Sequence, residues 1–144
     1  MSSVSQFLKK NKAIRENTFY AATKSLCDES GEPLQWEIRP MTTTDDERIR
    51  DACTTEIPIP GKPNMYRTRL NSNKYVAQLL ATSVVFPDLY DAELQNSYGV
   101  KTPEDLIREM IDDSGEYTAF TAFIQKFNGF DVLMQDQVDE AKNS

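Results

Sequence analysis

An α+β fold, mostly helical, with a small N-terminal β-hairpin packed on a helical core, follows from three observations. Leu34, Trp36 and Ile38 alternate with Gln35, Glu37 and Arg39, a period of two that places three apolar groups on one face of a strand. From Thr44 onward, apolar residues instead recur at spacings of three and four behind capping residues, the pattern of amphipathic helices. The chain has 144 residues, 39% of them hydrophobic, enough for one domain with its own core. Residues 1–130 are expected to form that domain, and 131–144 a further helix or a partly ordered tail.

Along the chain, Ser3 or Ser5 can cap a short helix through about Asn11, with Phe7 and Leu8 as docking contacts. Thr18 to Cys27 is rich in aromatic and β-branched residues, and Asp28 to Pro33 is a turn cluster, so this segment and Leu34–Arg39 are expected to pair as a hairpin. A lone hairpin is marginal in water, so its Trp36 face must pack on helices. Pro40 ends the strand. Thr44 with Glu47 reads as a capping box opening a helix whose stripe is Ile49, Ala52 and Cys53. Asp45, Asp46 and Glu47 lie at the positive end of its dipole, and Asp46 stands four residues before Arg50.

Ile57 to Pro63 contains three prolines and reads as a loop. Its Gly61-Lys62 lacks the flanking residues of a phosphate-binding loop. Met65 to Leu70 reads as a short strand. Asn71 or Ser72 then caps the most apolar helix, carrying Val76, Leu79, Leu80, Ser83 and Val84, which Pro87 stops. Asp91 can cap a short helix closed by Gly99, and Thr102-Pro103-Glu104-Asp105 supplies a cap, a proline at the first helical position and two first-turn acids. That helix buries Leu106, Ile107, Met110 and Ile111. Asp113 or Ser114 opens a helix with an aromatic stripe, Tyr117, Phe120, Phe123 and Phe127, ending at Asn128-Gly129.

Sixteen basic and 23 acidic residues give a net charge of −7. Residues 1–71 carry 11 basic and 10 acidic groups, whereas residues 72–144 carry 5 and 13, so the second half would repel phosphate backbones. Nucleic acid is not an expected partner. The only cysteines are Cys27 and Cys53, and histidine is absent, so neither a Cys/His zinc site nor a Cys/His nucleophile pair can be built. With no apolar leader after Lys9, Lys10 and Lys12, the thiols are expected to be reduced and buried. Tyr75 to Phe86, the most apolar window, is far short of the ~20 residues that span a bilayer. No membrane association is expected.

The acidic clusters are the only candidates for catalysis. Asp45, Asp46 and Glu47 already have capping and dipole roles, and Asp112, Asp113 and Glu116 surround a helix junction; neither group has calcium-loop spacing. Without histidine, acid-base work would fall to carboxylates, lysine or tyrosine. The chain reads as no enzyme, with no cofactor; a carboxylate-dependent hydrolase is the catalytic alternative.

Several strings, in order, carry a resemblance. Lys9 to Asn17, Ala21 to Leu26, Trp36-Glu37-Ile38-Arg39-Pro40, Asp46 to Asp51, Tyr90 to Gln95, Gly99 to Leu106 and Phe127-Asn128-Gly129-Phe130 together resemble the XkdN-like tail assembly chaperones of tailed phages and phage-like elements of Gram-positive bacteria. The likeness covers roughly residues 5 to 130 and fades after Phe130. Met41 stands where leucine is commoner in that family. The resemblance implies a small protein of the host bacterial cytoplasm that binds the tape measure protein before the tail tube polymerises around it, with the major tail protein as a further candidate partner, and that is absent from the mature virion. Self-association is left open. The alternative is a structural minor tail or tail completion protein retained in the virion. Leu133, Met134 and Val138 are the expected partner-binding residues, because they are apolar yet lie beyond the last closing glycine.

Overall fold

The computed structural model describes residues 3–130. In order, its elements are β1 (Thr18–Tyr20), β2 (Trp36–Ile38), α1 (Thr43–Cys53), β3 (Thr54–Pro58), β4 (Tyr66–Leu70), α2 (Ser72–Ser83), β5 (Val84–Phe86), α3 (Ala92–Ser97), α4 (Pro103–Met110) and α5 (Ser114–Phe127). Two 3₁₀ turns, Val4–Phe7 and Lys9–Asn11, precede them. The α+β class stands, with more helix than strand among the described residues.

Sheet and helices meet at Trp36. Its neighbour on β1, Tyr20, stands directly opposite, Phe19 faces Glu37, and Thr18 faces Ile38. Trp36 and Ile38 are buried against the helices, with Trp36 edge-on to Phe120 at 6.0 Å and Tyr20 stacked on Phe123 at 4.3 Å. The unit is not a lone hairpin. β5 adds a third strand on the other side of β2, because the β-branched Val84 and Val85 favour extension once Pro87 forbids another helical turn. The helix expected to run through Val84 therefore ends at Ser83.

α2 is the centre of the helical layer and packs against α1, α4 and α5. Ala77, Leu79 and Leu80 of α2, Leu106 and Ile107 of α4, and Phe120 and Ile124 of α5 are fully buried. Each leucine or isoleucine so placed contributes about 1.5–3 kcal/mol of transfer free energy. Side-chain caps fix where these helices begin: Asn71 for α2, Asp91 for α3, Thr102 for α4 and Asp113 for α5 each accept from a main-chain amide three residues on. At the other ends, Gly99 and Gly129 take the left-handed conformation that closes a helix, with φ of 70° and 77°.

Several expectations need correction. The N-terminal segment is two 3₁₀ turns without side-chain caps, and it does not dock: Phe7 is 83% exposed. Nine residues with no face to pack on are too few to sustain an α-helix. The first strand stops at Tyr20, and Leu34 is exposed. The capping box of α1 lies two residues earlier than Thr44 and Glu47: Thr42 accepts from the Asp45 amide, and the Asp45 carboxylate returns to the Thr42 amide. Asp45 wins because it also accepts from Arg39 at 2.9 Å. Ala52 faces solvent, leaving Ile49 and Cys53 as the buried stripe.

The proline-rich stretch also begins as a strand. Ile57 and Pro58 belong to β3, with Pro58 opposite Tyr66. In a two-stranded ribbon half of each strand's amides lack a ladder partner, so a residue without N–H is tolerated. Met65 to Leu70 does supply a strand, β4.

Candidate functional site

The face of the three-stranded sheet that turns away from the helices is set by the register. Phe19 stands opposite Glu37, and Glu37 stands opposite Phe86, so one row crossing all three strands reads aromatic, acid, aromatic. Phe19 is 61% exposed and Phe86 64%. A shift in register between Glu37 and Ile38 leaves Val85 outside the paired positions, and it is exposed as well. Glu37 Oε2 accepts from the Asn17 side-chain amide at 2.8 Å, which holds the carboxylate between the rings.

Four of the six acidic residues singled out in the sequence have structural partners. Asp45 bridges Arg39 at 2.9 Å and Arg48 at 3.3 Å, and the Arg39 hydrogen bond holds its carboxyl well below the ordinary range. Asp46 pairs with Arg50 at 2.9 Å and accepts from the Tyr75 hydroxyl. Burial, and then Asp46, push the Tyr75 phenol up to about 12, and the Arg50 guanidinium lies over the Tyr75 ring at 4.8 Å. Glu47 faces solvent. Asp113 caps α5, Asp112 is exposed, and Glu116 binds Thr23 and the Lys24 amide.

Both cysteines are free: Cys53 is buried, and Cys27 is exposed, contrary to expectation, with its thiol donating to the Lys24 carbonyl. Burial pushes the Cys53 thiol up. Among the described residues no three acids or cysteines gather as a metal site, and no helix is long and apolar enough to cross a membrane. Leu133, Met134 and Val138 lie outside the described residues. The exposed Phe19 and Phe86 escaped the sequence reading. Alternation within Thr18-Phe19-Tyr20 could have flagged Phe19, but Phe86 is revealed only by the pairing of β5 with β2.

A sequence model of the phage XkdN-like tail assembly chaperone proteins matches residues 4–142. The chain belongs to that family. Two relatives from Bacillus subtilis strain 168 agree: the phage-like element PBSX protein XkdN is 24% identical and the protein YqbN 23% identical, each over 121 residues covering 84% of this chain and 80% of the relative. The crystal structure of YqbN shares the fold with a TM-score of 0.73 at 19% identity, covering 90% of this chain and 98% of that one. The family match runs past Phe130, where the resemblance was expected to fade, and so takes in Leu133, Met134 and Val138.

Proposed function

We propose that this XkdN-like chain is a non-catalytic tail assembly chaperone that binds the tape measure protein in the host cytoplasm and keeps it soluble until the tail tube assembles. The observation that carries the reading is the family match over residues 4–142. A long helical chain exposes apolar stripes before the tube covers them, and a soluble acidic partner with apolar contacts of its own can keep such stripes apart. The net charge of −7 fits that role. The engagement of Asp45 with Arg39 fits it too, since a carboxyl held ionised is no proton donor near neutral pH.

Leu133, Met134 and Val138 are proposed as contacts to that partner. Co-expression with the tape measure protein should raise the partner's soluble fraction and yield a co-purifying complex. Finding the chain in stoichiometric amounts in purified virions, with no effect on the partner's solubility, would overturn the proposal in favour of a structural tail component.

A further inference from the structure

Among the described residues, the eleven large exposed apolar side chains are unevenly placed. Val4, Phe7, Leu8 and Ile14 lie in the segment before β1, at 80%, 83%, 45% and 90% exposure, while Phe19, Val85 and Phe86 lie on the outer sheet face. Up to Lys12, every hydrogen bond of the arm among the described residues stays within it: Gln6 to Ser3, Leu8 to Ser5, Asn11 to Leu8, Lys12 to Lys9, the Asn11 side chain to Ser5, and one between the Ser3 and Ser5 hydroxyls. Its root is fastened by Arg15, which donates to the Met41 carbonyl at 2.7 Å. Met41 lies beyond Ile38, at the Thr18 end of the β1–β2 pair, so the arm leaves the sheet at that end and does not cover the aromatic row.

Charge divides the same way. Residues 3–17 hold four basic groups, Lys9, Lys10, Lys12 and Arg15, against one acid, Glu16; the other 12 basic and 22 acidic residues lie elsewhere. The outer face offers Glu37, whose Oε1 has no hydrogen bond among the described residues, between two rings roughly 9 to 10 Å apart, two strand spacings. Among the described residues the chain thus carries an exposed basic apolar segment and an exposed apolar face with a carboxylate at its centre. A two-fold interface requires such self-complementarity, since the same two patches meet twice.

We propose that two copies of this chain associate by exchanging arms, residues 3–14 of each lying across the Phe19–Glu37–Phe86 row of the other. Apolar side chains of the arm fill the space between the rings, and an arm lysine meets Glu37. This inference does not depend on the chaperone reading.

Sedimentation equilibrium on the full chain tests it. The wild type should dimerise with a Kd in the micromolar range, between about 1 and 100 μM. Phe7→Asp on the arm and Phe86→Asp on the face should each raise that Kd roughly a hundredfold, because either buries an unpaired charge. Should Phe86→Asp disturb the sheet by circular dichroism, Phe19→Asp serves for the face and must act alike. Raising salt from about 0.1 to about 1 M, which shortens the screening length from ~10 to ~3 Å, should weaken the dimer further. A monomer throughout this range, or a dimer indifferent to both arm and face variants, overturns the proposal. A monomer whose Phe7→Asp variant loses tape measure binding also overturns it, and assigns the arm to that partner instead.

Discussion

Glu116 in the first turn of α5 accepts a hydrogen bond from the buried Thr23 hydroxyl at 2.7 Å and, through its second oxygen, from the Lys24 amide at 2.8 Å. A single carboxylate therefore ties the segment leaving β1 to the helix layer and turns the chain away from the strand that Thr18 to Cys27 would otherwise continue. Hydrogen bonds to an ionised acceptor contribute about 1.5–3 kcal/mol, so Glu116→Ala should destabilise by about 2 kcal/mol in urea unfolding. A change below about 0.5 kcal/mol, the range of an ordinary surface substitution, would show the clasp to be incidental.

Trp36 is 1% exposed and meets Phe120 at the junction of sheet and helices. Trp36→Ala should cost about 3–5 kcal/mol through lost transfer energy and the cavity left behind. Equilibrium denaturation measures this directly, and a loss of a few tenths would contradict the packing described.

Acid should act through Asp45. Its folded-state pKa is depressed from 3.8 by Arg39, so its contribution is complete above the unfolded-state value and is lost as pH falls below it, toward the folded-state value. Thermal midpoints of the wild type should drop between about pH 5 and pH 2 more steeply than those of Asp45→Asn. Parallel curves for the two proteins would remove Asp45 as the cause.

Alkali should act through Tyr75. Its pKa rises from 10.0 to about 12, so its contribution is intact below pH 10 and disappears as pH climbs toward 12. Phenolate absorbance should show a step near pH 12 that Tyr75→Phe lacks; the same step in both proteins would place the late ionisation elsewhere.

The two thiols should differ sharply. Cys27 is exposed, while Cys53 is buried and its thiolate disfavoured. A water-soluble maleimide should label one site in the native protein and two in denaturant, with peptide mapping assigning the first to Cys27.

In the proposed role, a chain ended after Phe130, which packs on the core and whose amide donates to the Gln125 carbonyl at 2.8 Å, should melt as the full chain does but bind the tape measure protein more weakly. Equal affinity would remove Leu133, Met134 and Val138 from the interface; unfolding would assign them to the core.

What could be read from the sequence was what is local. A cap, a first-turn proline or a closing glycine acts within four residues, so the starts of α2, α3, α4 and α5 were legible. Thr42 and Thr44 offer similar local signals, and the choice between them rests on Arg39, which the sequence shows without its direction. Val84 satisfies a helical period and a strand equally well until Glu37 and Ile38 supply the pairing edge. The aromatic row was hidden for the same reason: Phe19 and Phe86 are 67 residues apart, and only the register of two strand pairs makes them neighbours of Glu37.

The ribbon of β3 and β4 leaves and rejoins the fold at one point, since the Asn71 amide donates to the Cys53 carbonyl at 2.8 Å. Its tip, residues 59–65, turns through left-handed Gly61 and Asn64. An excursion whose ends are already pinned can be lengthened cheaply, at about 0.6 kcal/mol per doubling of a flexible loop. The segment between Gly61 and Asn64 is thus a natural port for a peptide epitope or a compact fluorescent reporter. Through it the protein could be followed during particle assembly with both chain ends left as they are.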